Sequence, residues 1–367
     1  MKLPNLPEQP NQPHRPDHVP PIPIPTSLQN YDVQNLQNQI AFTNASLLPR
    51  VLRVVSISLT TSLHNPSQYR HRAVLYAQGV QIAVEWFARQ RHDHIACNGL
   101  VTITYIGIHP QSEDGHLQIA RLCRLDRPDR SYNVFETALP EWFTNKALLP
   151  SAVLAWNQLD EKNQRLINAI LFDGDFFNRF CLVPSSVNHH HSYINGNLEH
   201  TLEVVDYVVD NITRYPTANL QLALIYGWTH DLGKADEYQE CKAGDREFKL
   251  TPTAYLHGHK MNSLFLVTKA QAWHVPLYPE KTFDHLRHLL EPHPHASTSD
   301  TRKPQMQEHL IVSQADITSA AANVFAKAHR PGCSFGIAPD SKYAKGVNFR
   351  YEQGADSNTH PNRRNGH

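Results

Sequence analysis

The sequence has few cysteines, no net charge and no long hydrophobic run. Its five cysteines form no CxxC pair and no close cluster, which argues against a zinc ribbon and against a disulfide scaffold. No stretch approaches the roughly 18 consecutive apolar residues of a membrane-spanning helix. The first residues, Met-Lys-Leu-Pro, lack the apolar core of a signal peptide. We therefore expect a cytoplasmic protein that makes no membrane contact.

The charges balance, with 34 basic and 34 acidic residues. Such a chain has no overall field that attracts nucleic acid or a membrane, so any such contact must come from a local patch. The length of 367 residues suggests about two domains. Histidine is abundant, with 24 residues that lie mostly after position 188. Several of them stand beside apolar helix positions, which favours metal ligands over a solvated tract.

Both ends of the chain have the composition of unfolded segments. Residues 1–26 contain nine prolines, five of them spaced by three. Proline fixes φ and removes a hydrogen-bond donor, so residues 1–27 are predicted to form a disordered, Pro-rich leader. This leader is a candidate docking segment for a partner. Residues 331–367, with several Gly and Asn, are predicted to form a disordered tail.

Alternation with period two predicts a β domain at residues 50–141. Apolar and polar residues alternate at 55–59, 80–86 and 101–105, and Asp114-Gly115 supplies a turn before a further strand at 117–119. About five strands in this length fit a small antiparallel β-barrel or sandwich, of which the OB-like barrel is one member.

The residues of this β domain leave nucleic-acid binding open. Residues 51–141 contain nine arginines against eight acidic residues. Trp86, Phe87 and Tyr105 are available as stacking platforms for bases, but core packing explains them equally well. Two aspartates also interrupt the arginines that recur every three residues, which are Arg121, Arg124, Arg127 and Arg130.

From about residue 142 the hydrophobic period becomes helical. Residues 142–183 are predicted to form linker helices that lead to the apolar pair Phe176-Phe177, before Pro184-Ser185-Ser186 breaks the helix. Residues 184–330 are predicted to form an all-α domain. The expected fold class is therefore α+β multidomain, with a small antiparallel, OB-like β-barrel followed by an all-α domain.

This helical region gathers imidazoles and carboxylates. A helix predicted at 198–212 places His200 at the border of its apolar face, and an apolar helix at 220–228 ends at His230-Asp231. A carboxylate at the end of a buried helix is costly unless it is paired or metal-bound. A His–Asp hydrogen bond that closes the helix is the alternative. Asp316 adds a distant carboxylate to the set.

Mixed imidazole and carboxylate ligands suit Mn, Fe, Ni or Mg better than a structural zinc ion. His259 and His293 could hold a second ion, and two ions would clamp the attacking and leaving oxygens at phosphorus. Lys234 could reach a phosphate oxygen as a point charge. Alternatively, it is an exposed lysine stabilised by the helix dipole.

The order His200, His230-Asp231 and Asp316, with the motif His-Asp-Leu-Gly-Lys at 230–234, resembles the HD superfamily of metal-dependent phosphohydrolases. The stretch Pro-Ser-Ser-Val-Asn-His-His-His at 184–191 is similar to two branches of it. One comprises the YhaM-type 3′–5′ exoribonucleases, which place an OB-like module before the HD domain. The other is the TraI domain of MobH-type conjugative relaxases. The resemblance covers residues 165–320, and residues 50–140 by strand pattern only.

The resemblance implies a role for each matching position. Asp231 and Lys234 are the implied catalytic residues, and His190 and His295 are accessory candidates. The triple histidine at 189–191 is interpreted as shaping the entrance of the site. This chain departs from the pattern with Gly-Asn-Leu at 196–198 in place of a Gly-Gly-Leu turn, and with His-Pro-His at 293–295 in place of adjacent histidines. The implied metal ligands are His200, His230, Asp231 and Asp316 for the first ion, and His259 and His293 for the second.

The expected function is metal-dependent hydrolysis of a phosphodiester by a nuclease that takes single-stranded RNA or DNA from the β domain. One alternative is an HD hydrolase of a nucleotide or cyclic nucleotide, whose β domain serves dimerisation or regulation. Another is a relaxase-like DNA-processing protein of a mobile element. Homo-oligomerisation is left open.

Overall fold

The computed structural model describes residues 48–62, 65–104, 114–128, 131–242, 247–292 and 306–328, and two strands at 335–337 and 347–349. A region of strands is followed by a region of helices, so the protein is mixed α/β. This order agrees with the predicted fold class at the coarse level. The predicted leader lies outside the described residues.

A curled, six-stranded sheet forms the first region and has the shape of a half-barrel. Its strand order is β5-β3-β2-β1-β4-β6. Strands β2 and β3 are joined by Gln78-Gly79, whose φ angles of 51° and 78° suit a two-residue hairpin turn. The strands are β1 (Leu52–Thr61), β2 (Tyr69–Ala77), β3 (Val80–Ala88), β4 (Leu100–Thr104), β5 (Leu117–Gln118) and β6 (Arg121–Arg124).

The sheet departs from the prediction in two respects. Strand β5 pairs with β3 in parallel, with Val84 opposite Leu117, so the purely antiparallel arrangement is wrong at this pair. Strands β2 and β6 were not predicted. In β2 the last three residues are all buried, so the apolar and polar alternation of a half-buried strand is lost there.

The sheet has its own apolar core, to which Leu75, Val84 and Trp86 contribute. Trp86 is only 1% exposed, so it fills this core and offers no stacking surface to a base. Phe87, the next residue, is 42% exposed. Tyr105 lies outside the described residues. One of the three candidate platforms is therefore excluded, and one is accessible.

The second region consists of helices around a continuous apolar core that also reaches Val51 and Tyr76 of the sheet region. Two 3₁₀ turns, Val134–Thr137 and Pro140–Trp142, lead into it. The helices of residues 142–183 pack into this same core. The α-helices are α1 (Leu148–Asn157), α2 (Glu161–Ile170), α3 (Gly174–Leu182), α4 (Gly196–Asn211), α5 (Leu220–Thr229), α6 (Lys234–Glu237), α7 (Pro252–Leu256), α8 (Gly258–His274), α9 (Glu280–Leu290) and α10 (Gln307–Ala328).

Arg53 joins the two regions. Its guanidinium is fully buried and donates to Thr137 O at 3.0 Å, to Thr137 Oγ1 at 2.8 Å and to Asn98 O at 2.5 Å. It lies over the rings of Trp142 and Phe177, at 5.5 and 5.0 Å from their centroids. Burial lowers the pKa of Arg53 to about 10. The acceptors that hold this cation are neutral oxygens.

Short strands pair at two further places. Strands β7 (Tyr238–Glu240) and β8 (Phe248–Leu250) form a hairpin after α6. Strands β9 (Phe335–Ile337) and β10 (Val347–Phe349) pair antiparallel inside the stretch predicted as a disordered tail. Apolar residues alternate in both of these strands, which favours extended pairing. Among the described residues, no helix combines the length and apolar character needed to cross a membrane.

Candidate metal centre

Three segments of the helical region meet at one buried point. Helix α4 carries His200, the end of α5 is followed by His230 and Asp231, and α10 carries Asp316. Helix α5 is apolar nearly all round and is buried from Leu222 to Thr229, so it places the residues after it deep in the molecule. Helix α10 packs against both α4 and α5.

His200, His230 and Asp231 offer ligand atoms that all lie within 4.8 Å of one another. Oδ2 of Asp231 is 3.4 Å from Nε2 of His200 and 3.3 Å from Nε2 of His230. Oδ1 of Asp316 is 3.1 Å from Nε2 of His200. The structure therefore brings together the four residues predicted for the first metal.

The two imidazoles direct their Nε2 atoms to this point. Nδ1 of His230 lies 2.7 Å from the carbonyl oxygen of Gly227, which can only accept, so Nδ1 carries the proton. Nε2 of His230 and Nε2 of His200 are both buried without a hydrogen-bond partner among the described residues. Buried polar atoms of this kind are rare unless a ligand or an ion completes them.

Asp231 is 4% exposed and binds Lys234, whose Nζ lies 2.5 Å from Oδ2. Burial opposes ionisation of Asp231, but the charges of His230 and Lys234 outweigh it and hold the pKa well below its usual range. Burial likewise opposes ionisation of Asp316, yet its contact with His200 and the charge of His230 lower its pKa to about 2. The site therefore carries two carboxylate charges.

Lys234 is 6% exposed and lies at the start of α6. Its Nζ also donates to Ser185 Oγ at 2.9 Å. The alternative of an exposed lysine at a helix end is thus excluded by its burial. The side chain is held between Asp231 and the loop that precedes α4.

His259 approaches the other oxygen of Asp231, with Nε2 3.6 Å from Oδ1. Its Nδ1 lies 3.2 Å from Oε2 of Glu237, a buried carboxylate. Helix α8 comes this close because residue 233 is glycine. A Cβ there would lie 2.1 Å from the carbonyl oxygen of His259. His293 and His295, the remaining predicted residues, lie outside the described residues.

The triple histidine lies deeper than the interpretation as an entrance implies. His190 and His191 are 7% and 0% exposed, and their ring centroids are 5.3 and 5.4 Å from that of His200. Only His189 is exposed. Where the chain turns at His191, with a φ of 43°, these two residues enter the interior beside His200, and their role at the entrance stays a prediction. Gly196 permits this turn, since a Cβ there would lie 2.0 Å from His191 O.

The electrostatics of His190 and His200 differ. Burial lowers the pKa of His190 to about 3, with a further contribution from the charge of Lys234, so this imidazole is neutral. Burial also opposes the charged form of His200, but its contacts with Asp231 and Asp316 raise the pKa above the usual value.

Four polar residues at the site were not predicted to act there. Ser185 binds Lys234, and Glu237 binds His259. Ser319 and Glu203 lie behind His200. Helical spacing could have found three of them, because Glu203, Ser319 and Glu237 each follow a predicted site residue by three positions. Nothing in the sequence distinguishes Ser185 from its neighbours.

Comparisons of the chain with models of protein families, with curated proteins and with solved structures found no match. The interpretation of the site therefore rests on its own geometry and chemistry.

The donor set fits a divalent cation. Two imidazole nitrogens with no hydrogen-bond partner and a carboxylate converge in a buried space, so His200, His230 and Asp231 could bind a metal ion.

Proposed function

We propose that the protein is a metal-dependent phosphodiesterase of the HD type that cleaves single-stranded RNA or DNA. In this proposal the helical region is an HD domain, and the half-barrel sheet is an OB-like module that delivers the strand. The observation that carries the proposal is the convergence of two imidazole nitrogens, Nε2 of His200 and Nε2 of His230, with Asp231 and Asp316.

Each residue has a role in this proposal. His200, His230, Asp231 and Asp316 hold the first ion, and His259 with the second oxygen of Asp231 offers donors to another. A bound divalent ion supplies Lewis acidity, which polarises the phosphoryl group and makes water a better nucleophile. Asp231 lies between both sets of donors and orients Lys234. The ammonium of Lys234 stabilises the negative charge that develops on the phosphate oxygens.

A second candidate function is hydrolysis of a small nucleotide, and one observation on the sheet favours it. Arg70 and Arg72 are paired with Glu85 at 2.6 and 3.0 Å, and both also bind Asp114. Paired arginines have little charge left for phosphates. If the sheet binds no strand, the site acts on nucleotides alone. Salt dependence separates the candidates, because only a polynucleotide releases many counterions when it binds.

The test uses the full chain, Mn²⁺ and an end-labelled single-stranded RNA or DNA. We expect the labelled strand to be shortened from one end. We also expect the protein to bind the strand more weakly at higher salt. Asp231→Ala should abolish cleavage, because it removes an oxygen donor and the partner of Lys234.

Asp210→Asn is the matched control, since Asp210 is an exposed carboxylate on α4. It should cleave like the wild type. The proposal fails if elemental analysis finds no bound ion and no phosphodiester is cut with Mn, Fe, Ni or Mg. Cleavage of cyclic nucleotides but not of strands would select the second candidate.

A further inference from the structure

Ser319 and Glu203 form a hydrogen-bonded chain behind His200. Nδ1 of His200 lies 2.8 Å from Oγ of Ser319. The Ser319 hydroxyl donates to Oε2 of Glu203 at 2.5 Å. Nε2 of His191 lies 3.3 Å from the same carboxylate oxygen. The chain therefore links one candidate metal ligand to the last residue of the triple histidine.

The positions of these residues on their helices show how the hydrogen-bonded chain is built. Glu203 follows His200 by three residues on α4, and Ser319 follows Asp316 by three residues on α10. Residues three apart share one face of a helix. Each of these helices thus presents a candidate ligand and a supporting residue to the same place.

The carboxylate of Glu203 determines the direction of these hydrogen bonds. A carboxylate only accepts, so the single hydroxyl proton of Ser319 is directed at Glu203. The lone pairs of Ser319 are then left for His200, and Nδ1 of His200 must supply the proton of that hydrogen bond. His230 reaches the same state through a backbone carbonyl, that of Gly227 at 2.7 Å.

We infer that Ser319 and Glu203 are positioning residues that keep a proton on Nδ1 of His200, so that Nε2 is available as a metal donor. The inference rests on the proposed function, which makes His200 a metal ligand. His191 contributes to the same arrangement, because its Nε2 lies 3.3 Å from the Glu203 carboxylate. Support of this kind for a histidine ligand is typically worth about 10–100-fold in metal affinity.

The first test measures Mn²⁺ affinity of the full chain by isothermal titration calorimetry. Ser319→Ala and Glu203→Gln should each weaken Mn²⁺ binding about 10–100-fold. Ser319→Thr keeps the hydroxyl and should restore most of the affinity. Thr318→Ala is the matched control, since it removes an exposed hydroxyl from the neighbouring position of the same helix, and it should bind Mn²⁺ like the wild type.

The second test needs no metal and would not respond to a merely structural role. In chain labelled with ¹⁵N-histidine, the hydrogen-bonded Nδ1–H of His200 should give a resonance protected from exchange with water. It is assigned by its loss in His200→Gln. The resonance should persist in Ser319→Thr and disappear in Ser319→Ala, while both variants keep the thermal midpoint of a folded protein.

The outcomes separate this inference from the proposed function. If Ser319→Ala and Glu203→Gln bind Mn²⁺ like the wild type and the resonance persists, the inference is overturned even when the protein cleaves phosphodiesters. If the variants lose affinity and Ser319→Ala loses the resonance, but the wild type cleaves nothing, the inference stands and the proposed function fails. A wild type that binds no Mn²⁺ overturns both.

Discussion

The sheet region and the helical region bury polar side chains in opposite ways. In the sheet, Glu85 is 1% exposed and is bound by both Arg70 and Arg72. In the helical region, Nε2 of His200 and Nε2 of His230 are buried without a hydrogen-bond partner among the described residues. An unsatisfied buried group costs about 1–3 kcal/mol. The first arrangement stabilises the fold, whereas the second leaves donor atoms that could bind a metal ion.

Histidines sharpen this contrast, because they cluster in both regions. In the sheet region, the rings of His71 and His92 stack with centroids 4.8 Å apart. His71 Nε2 donates to Gln90 O at 3.3 Å, and His92 Nδ1 accepts from Trp86 Nε1 at 3.1 Å. Stacked rings point their nitrogens outward from the stack rather than at a shared point. Proximity of histidines alone therefore does not make a metal site.

The largest expected effect comes from separating Asp231 from Lys234. Asp231→Leu leaves a buried lysine without its charge partner and should lower the free energy of unfolding by about 3–5 kcal/mol. It should also abolish Mn²⁺ binding. Urea unfolding in the presence of EDTA measures the first effect without any contribution from bound metal.

The double variant Asp231→Leu/Lys234→Met distinguishes function from stability at this site. It replaces the pair with apolar side chains, which is often neutral or stabilising by about 1–4 kcal/mol. We expect stability to return while Mn²⁺ binding stays lost. Equal stability of the single and double variants would show that the unpaired lysine does not cause the loss of stability in Asp231→Leu. It would contradict the contrast between the two regions at this site.

The next largest effect is expected at Arg53, where a substitution should lower stability but leave Mn²⁺ affinity unchanged. Arg53→Met removes the donors to Thr137 and Asn98 and leaves buried oxygens unpaired, at about 1–3 kcal/mol each. The free energy of unfolding should fall by about 3 kcal/mol, while Mn²⁺ affinity stays that of the wild type. Arg89→Met, at an exposed position, should change stability by less than about 0.5 kcal/mol. A large loss of Mn²⁺ affinity in Arg53→Met would show that the junction of the regions controls the site.

The sequence predicts the parts of the molecule that local patterns determine. The strands predicted at 80–86 and 101–105 follow from alternation with period two, and the buried helix before His230 follows from its apolar composition. The meeting of His200 with Asp316 follows from their types as metal ligands and from the resemblance. Strand β2 was missed because burial removes its alternation. The inward turn at His191 was missed because it depends on a positive φ and on the missing Cβ of Gly196. The contacts of Lys234 with Ser185 and of His200 with Ser319 join segments distant in sequence, so no local pattern alone predicts that they meet.

The smallest expected effect concerns the pH dependence of stability in the sheet region. Burial lowers the pKa of His71 below its usual 6.5, and the charge of His92 lowers it further. Between 6.5 and the pKa of the folded state, the unfolded chain binds more protons than the folded chain. Stability is therefore lost as the pH falls through this window. His71→Phe keeps an aromatic ring against Trp86 but takes up no proton, so its thermal midpoint should fall less over the same window.

His285→Gln tests whether this effect belongs to the buried imidazole or to histidine in general. His285 is exposed on α9, so its loss should leave the curve of thermal midpoint against pH parallel to that of the wild type. A flatter curve in His71→Phe alone would show that the stacked histidines of the sheet couple proton uptake to stability. Parallel curves for all three proteins would mean that His71 titrates alike in both states. In that case the sheet histidines would contribute to packing only.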